Sequence, residues 1–206
     1  MASALDRRTF LGALVAAGGV LAGCGAQGAD AAGRDPLDAW GVQLYTLRDR
    51  LAEDLDGTLA AVAAVGYREV ELFQLHGLTP RAMRQKLDGV GLRATSSHYP
   101  IQALREGLDE AVEGAVTLGQ RFMVLPSIPG EERTPDGLAR VADDLSRAGE
   151  RARQAGLRVG YHNHDWELRR RADGSLPIDV LLDRADPDLV DWQMDIFWTV
   201  HGGGDP

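Results

Sequence analysis

Gly-x-Arg occurs four times in this chain at equivalent places, residues 66–68, 91–93, 119–121 and 156–158. Each copy follows a stretch with helical apolar spacing and precedes a short apolar run. Glycine suits the position just past a helix, where the left-handed backbone is costly for any residue with a Cβ. The arginine suits the negative end of the helix it follows. Helix, glycine stop and strand, repeated along a chain, mark consecutive βα units and a parallel sheet. The arginines fall at strand starts and read as structural, because chemistry in such folds collects at the opposite strand ends.

Taken in order, strands are predicted at residues 41–45, 69–73, up to 98, 122–125, 158–161 and 190–195, with helices at 55–65, 80–87, 101–118, 136–155 and 178–183. No dinucleotide-binding glycine fingerprint follows any of these strands. Gly202-Gly203-Gly204 has the wrong context, since no strand-to-helix turn of the required form precedes it. The fold class read from this pattern is α/β, a (β/α)8 TIM barrel truncated after strand six, with an open six-stranded sheet as the alternative.

The first 24 residues follow another pattern. Arg7 and Arg8 precede an apolar run, Phe10 to Ala22, that is too short to cross a bilayer as a helix. It ends Leu21-Ala22-Gly23-Cys24. The order resembles a twin-arginine export signal followed by a lipobox. That resemblance implies lipidation at Cys24, passage through export machinery, and a periplasmic or cell-surface protein anchored to a membrane by lipid. Residues 25–39, rich in Ala, Gly and Asp, read as a flexible tether, and the barrel as residues 40–206. With one cysteine there is no internal disulfide, and the net charge of −9 argues against broad nucleic-acid binding.

The carboxyl ends of parallel strands converge on one face. By this count the face receives Gln43 and Tyr45, Glu71, His98, then His162, Asn163, His164 and Glu167, and finally Asp195 and Trp198. Polar groups alternating with aromatic ones suit a pocket for a small polar molecule, and Gln43, Tyr45, Glu71, Asn163 and Trp198 are its candidate substrate contacts. His162 and His164, two apart, face the same way on a strand, so one is free to ligate a metal while the other contacts substrate. Asp195 ends an apolar strand, where an ionised carboxylate is costly unless paired or bound to a cation. Imidazole with carboxylate suits Zn, Mn, Fe or Co better than Ca or Mg.

At Gly41-Val42-Gln43-Leu44-Tyr45-Thr46-Leu47-Arg48, Gly66-Tyr67-Arg68-Glu69-Val70-Glu71-Leu72-Phe73, Gly160-Tyr161-His162-Asn163-His164-Asp165-Trp166-Glu167 and Asp195-Ile196-Phe197-Trp198, the chain resembles the xylose isomerase-like barrel superfamily. The likeness is to its sugar phosphate isomerase/epimerase group and covers residues 40–206. The resemblance implies a divalent-metal site at the ends of strands five to eight. Asp195 matches the aspartate of strand six, and His162 stands where many members carry the glutamate of strand five. In the epimerases that glutamate and another on strand eight move the proton, so here His98, Glu167 or His164 is expected to serve as the catalytic proton carrier.

The implied activity is a metal-dependent sugar isomerase or epimerase, transferring a proton next to a carbonyl through an enediolate. Export points to a non-phosphorylated sugar or sugar derivative as the small-molecule partner. Two alternatives share the same site: a metal-dependent lyase or hydrolase of 3-keto-glycosides, and a lipid-anchored sugar-binding protein without turnover.

Overall fold

The computed structural model describes residues 40–206. The paired arginines, Cys24 and the tether lie outside the described residues. The elements run β1 (Gly41–Gln43), a 3-10 turn (Leu44–Leu47), α1 (Arg48–Glu53), α2 (Leu55–Val65), β2 (Glu69–Leu72), α3 (Pro80–Gly89) and β3 (Arg93–His98). They continue α4 (Ile101–Glu106), α5 (Leu108–Leu118), β4 (Phe122–Leu125), α6 (Pro135–Gln154), β5 (Arg158–His162), α7 (Pro177–Arg184), β6 (Val190–Gln193) and α8 (Ile196–His201). No described helix is long and apolar enough to cross a membrane.

The strands lie in sequence order from β1 to β6, and every neighbouring pair is parallel. A doubly wound sheet would reverse its order part-way; this one runs on in one sense, as barrels do. Its curl is visible in one contact, since Gln193 on β6 donates to Glu71 on β2 at 2.6 Å. A flat sheet would hold those strands far apart.

Local chemistry accounts for the repeat. Gly66, Gly91, Gly119 and Gly156 all have positive φ, 117°, 75°, 76° and 76°, as helix stops require. The arginines that follow tie the lower rim together. Arg68 donates to the carbonyls of Ala63 and Tyr67, Arg93 and Arg121 both approach Glu69, and Arg158 clasps Asp191 with two hydrogen bonds. The longest helix, α6, starts at Pro135 with Thr134 Oγ1 accepting from Gly137 N. It buries Leu138, Val141, Ala142, Leu145, Ala148 and Ala152, the stripe expected of a helix packed on a sheet.

Three boundaries differ from the sequence reading. The first strand stops at Gln43, so Tyr45 belongs to a 3-10 turn. The helix expected over 101–118 breaks at Gly107, whose φ of −128° is not helical. The sixth strand ends at Gln193; Asp195 is the N-cap of α8, and 196–198 begin a helix rather than close a strand.

Candidate functional site

Glu71 sits at the centre of the upper face, 8% exposed, on the inner side of β2. Four side chains from three other strands surround its carboxylate. Gln43 Nε2 donates to Oε1 at 2.8 Å, and His98 Nε2 lies 3.0 Å from the same oxygen. Ser96 Oγ and Gln193 Nε2 each donate to Oε2 at 2.6 Å. Burial alone would push the Glu71 carboxyl up; the hydrogen bonds and charge of His98, with the bonds from Ser96 and Gln43, outweigh it and hold the pKa at about 2.

The same amide of Gln193 faces His162, with Oε1 3.0 Å from Nδ1. The other ring nitrogen, Nε2, points at Asp195, 3.7 Å from Oδ2. Burial, with His98 and His164 as neighbours, keeps the His162 pKa below that of a free imidazole. Asp195 uses Oδ1 to accept from the Trp198 backbone at 2.9 Å, capping α8, which leaves Oδ2 turned to the histidine. His98 and His164 flank His162, with ring centroids 5.3 Å and 5.1 Å away. Burial also lowers the His164 pKa. The Trp198 ring stands 5.6 Å from His164 and forms a wall beside it.

Glu71, His162, Gln193 and Asp195 line a cavity of about 300 Å³. A larger groove, about 690 Å³, lies on the helix side of β3 among Leu75, Leu78, Ala111 and Leu118. Its lining is mainly apolar but includes His98, Tyr99, Glu106 and Glu110, whereas Glu71, His162 and Asp195 face the smaller one.

Five of the sequence candidates stand apart from this cluster or serve it differently. Asn163 is fully buried and has no capacity left for a substrate. Its Oδ1 accepts from Trp192 Nε1 and from the Asp195 backbone N–H, both at 2.9 Å, and its Nδ2 donates to Thr199 Oγ1 at 3.1 Å. It is a clamp that holds Asp195 against the end of β5. Glu167 is not brought to the cavity either. It is 1% exposed and takes the hydroxyl of Tyr161 and the backbone N–H of His164. Tyr161 precedes His162 on the strand and therefore faces the helix layer, which carries Glu167 to the outer side of the sheet. Tyr45 lies at the rim, half exposed, edge-on to Phe73 and beneath the Arg48 guanidinium. Gln43 and Glu71 are committed to each other and to the polar network. Sequence reasoning gave no role to Gln193 or Ser96. Alternation was the available signal, since each precedes a singled-out residue by two, Asp195 and His98, and so shares its face.

A divalent cation fits half of what is present. His162 Nε2 and Asp195 Oδ2 face each other, and the second nitrogen of His162 is held by an amide oxygen, as in metal-ligating histidines generally. Among the described residues no group of three or more His, Cys, Asp or Glu is arranged to hold a metal.

The sequence profile of the xylose isomerase-like TIM barrel family matches residues 59–206, most of the chain. The chain belongs to that family. Among solved structures, a sugar phosphate isomerase/epimerase from Parabacteroides distasonis is 29% identical, with a TM-score of 0.72 over 81% of this chain and 68% of that one. An IolI protein with a bound zinc atom, 12% identical, superposes with a TM-score of 0.61 over 80% of this chain and 65% of that one, a likeness of fold. Among curated proteins, the inosose dehydratase of Geobacillus kaustophilus is 25% identical over 73% of this chain. The chain spans 56% of that relative's length. An inosose dehydratase of Lacticaseibacillus casei is 36% identical over 35% of this chain and 24% of its own.

Proposed function

We propose that this xylose isomerase-like chain belongs to a metal-dependent enzyme that removes the proton next to the carbonyl of a sugar-like substrate and returns it to give an isomer or epimer. The observation that carries the reading is His162 and Asp195 facing each other at 3.7 Å with His98 and His164 both beside His162. His162 through Nε2 and Asp195 through Oδ2 would hold the cation, of the Zn, Mn, Co or Fe kind. When bound it supplies Lewis acidity, drawing electron density from a carbonyl oxygen and so acidifying the neighbouring C–H. His164, neutral because burial lowers its pKa, accepts that proton. His98 is the second proton carrier that isomerisation or epimerisation needs. Trp198 gives the apolar face of a sugar ring a wall.

A second reading is favoured by one finding, the three inosose dehydratases among the curated relatives. In an elimination the base removes the same proton, the carbon–oxygen bond at the β position breaks, and the leaving hydroxyl departs as water with a proton from the acid. The lyase of 3-keto-glycosides is the same step with an alcohol as the leaving group. A lipid anchor at Cys24 and export, which favour a non-phosphorylated substrate, belong to the proposal through the order of motifs in residues 7–24; mass analysis of the amino-terminal peptide tests them.

The decisive experiment incubates the full-length protein, loaded with Mn or Co, with a panel of inososes, keto-sugars and 3-keto-glycosides in deuterated water. Deuterium at the carbon next to the carbonyl, with a new stereoisomer, supports the first reading. Loss of water or of the aglycone supports the second. Tight sugar binding with no exchange for any substrate would leave a binding protein and overturn both.

A further inference from the structure

Glu71 begins a chain of hydrogen bonds whose polarity follows from its charge; Gln43 Nε2, which also lies 3.4 Å from His98 Nε2, makes its shorter contact, 2.8 Å, with the carboxylate. An ionised carboxylate only accepts, and Gln43, Ser96, His98 and Gln193 are all turned toward this one. Because Glu71 cannot donate, the Gln193 amide must present its NH2 to it, although either orientation would fit the same volume. The amide oxygen is then left facing His162 Nδ1 at 3.0 Å. A carbonyl oxygen also only accepts, and at 3.0 Å it draws the proton of the neutral ring to Nδ1. Asp195 Oδ2, an acceptor too, lies 3.7 Å from Nε2, beyond hydrogen-bond reach, and faces the Nε2 lone pair. At His98 the carboxylate acts directly. Its Oε1 lies 3.0 Å from Nε2, which requires a proton there in either charge state, so that the ring, when neutral, carries its lone pair on Nδ1.

We propose that Glu71 is a positioning residue that sets the tautomers of two histidines in opposite senses: Nε2–H at His98 by direct contact, and Nδ1–H at His162 through the Gln193 amide. The three links come from β2, β6 and β5, so the curl of the sheet is what brings the carboxylate within reach of a histidine 91 positions away. The consequence for His162 rests on the metal reading above: a ring with Nε2 protonated could not ligate through that atom. For His98 the consequence is that Nδ1 is the atom free to take a proton. Glu71 thereby prepares one histidine to bind and another to act as a base without touching a substrate itself.

The test is made on the metal-free full-length chain with 15N-labelled histidine, reading ring tautomers from long-range proton–nitrogen correlations. His162 should show its protonated nitrogen at Nδ1 and His98 at Nε2. Gln193→Leu cuts only the indirect branch. It should move the His162 proton to Nε2, leave the His98 pattern unchanged, and lower Zn affinity by roughly tenfold or more, as loss of an outer partner of a ligating histidine does. The unchanged His98 pattern certifies that the variant is folded. Glu71→Gln should mix the tautomers of both rings. A wild-type His162 protonated on Nε2, or a Gln193→Leu protein whose His162 keeps its proton on Nδ1, overturns the assignment. Tautomers as stated with no Zn uptake would leave it standing and remove the metal reading instead.

Discussion

Gln193 Nε2 donates to Glu71 Oε2 across 122 positions of sequence, linking β6 to β2 with three strands between them. The polar interior of the sheet thus closes on a single carboxylate. Hydrogen bonds to a charged acceptor are stronger than neutral ones, and a buried donor deprived of its acceptor is costly. Stability and the geometry of the candidate site are therefore coupled at one residue.

That coupling gives stability an acid limb. Glu71 has a pKa of about 2 in the folded protein against an ordinary 4.5. A depressed carboxylate contributes stability that is present above its unfolded value and is lost as pH falls through the folded one. The contribution is about 3 kcal/mol, from about 1.4 kcal/mol per pKa unit. Urea unfolding from pH 5 down to pH 2 should show this loss, and Glu71→Gln should flatten that limb while lowering stability at neutral pH. A Glu71→Gln protein with the wild-type acid profile would contradict the assignment.

Asn163→Ala should lower unfolding free energy by about 2 kcal/mol, since Trp192 Nε1 and the Asp195 N–H would lose a buried acceptor. The same change should loosen the loop that presents Asp195, so hydrogen exchange of residues 194–199 should rise before global unfolding does. Slow exchange in that loop, with unchanged stability, would show that the clamp is dispensable.

The barrel was legible in the chain because its signal is local and repeated: a glycine with positive φ and an arginine at the lower rim recur at four of the five helix-to-strand junctions, the one before β6 excepted. His162 and Asp195 were legible because charged or titratable groups at the end of apolar strands demand a partner. What alternation could not supply was the side taken after a strand ends. Residue 163 lies just beyond β5 and Glu167 in the 3-10 turn that follows, so parity no longer says which face they occupy. One became a clamp and the other turned to the helix layer. Gln193 and Ser96 share faces with Asp195 and His98, yet an amide and a hydroxyl carry no sign of purpose until the curl of the sheet sets them beside Glu71.

Glu167→Gln separates a buried structural carboxyl from a proton carrier. Burial raises the Glu167 pKa more than the Tyr161 and backbone hydrogen bonds lower it. A carboxyl with a raised folded pKa contributes stability below its unfolded value and loses it as pH rises through the folded one. The amide variant carries no such charge, so at pH 8 it should be at least as stable as the wild type. Its turnover should remain within about threefold, while His164→Ala should lose at least about a hundredfold, the usual range for a general base. A hundredfold loss in Glu167→Gln with intact stability would return that residue to the chemistry.

Gly202→Ala tests how the segment after β6 is held. A Cβ at this position would lie 2.4 Å from the Asp165 carbonyl oxygen and 2.8 Å from Leu168 Cβ. Backbone cannot step aside as a flexible side chain does, so α8 would have to shift away from the turn after β5. Overpacking of this kind costs about 1–3 kcal/mol. A fall in Tm with weaker metal retention is expected, because Asp195 caps the helix being displaced.

The metal assignment itself is tested by removing each donor. His162→Ala and Asp195→Ala should each lower the metal content of the full-length protein at least about tenfold by elemental analysis, as expected where a single donor carries much of a site's affinity. Asp195→Asn is the sharper variant. It keeps an oxygen to cap α8 through the Trp198 N–H, now 2.9 Å from Oδ1, but removes the charge that faces His162. If Asp195 serves only as a cap, Asp195→Asn should behave as wild type in both stability and metal content. If it is a ligand, stability should hold while metal is lost. His164→Ala belongs in the same series as a control. It lies beside His162 without facing Asp195 in any hydrogen bond or ion pair, so metal should be retained and turnover lost. Equal metal loss in all of these variants would mean that the site depends on the histidine cluster as a whole rather than on the pair that faces across 3.7 Å.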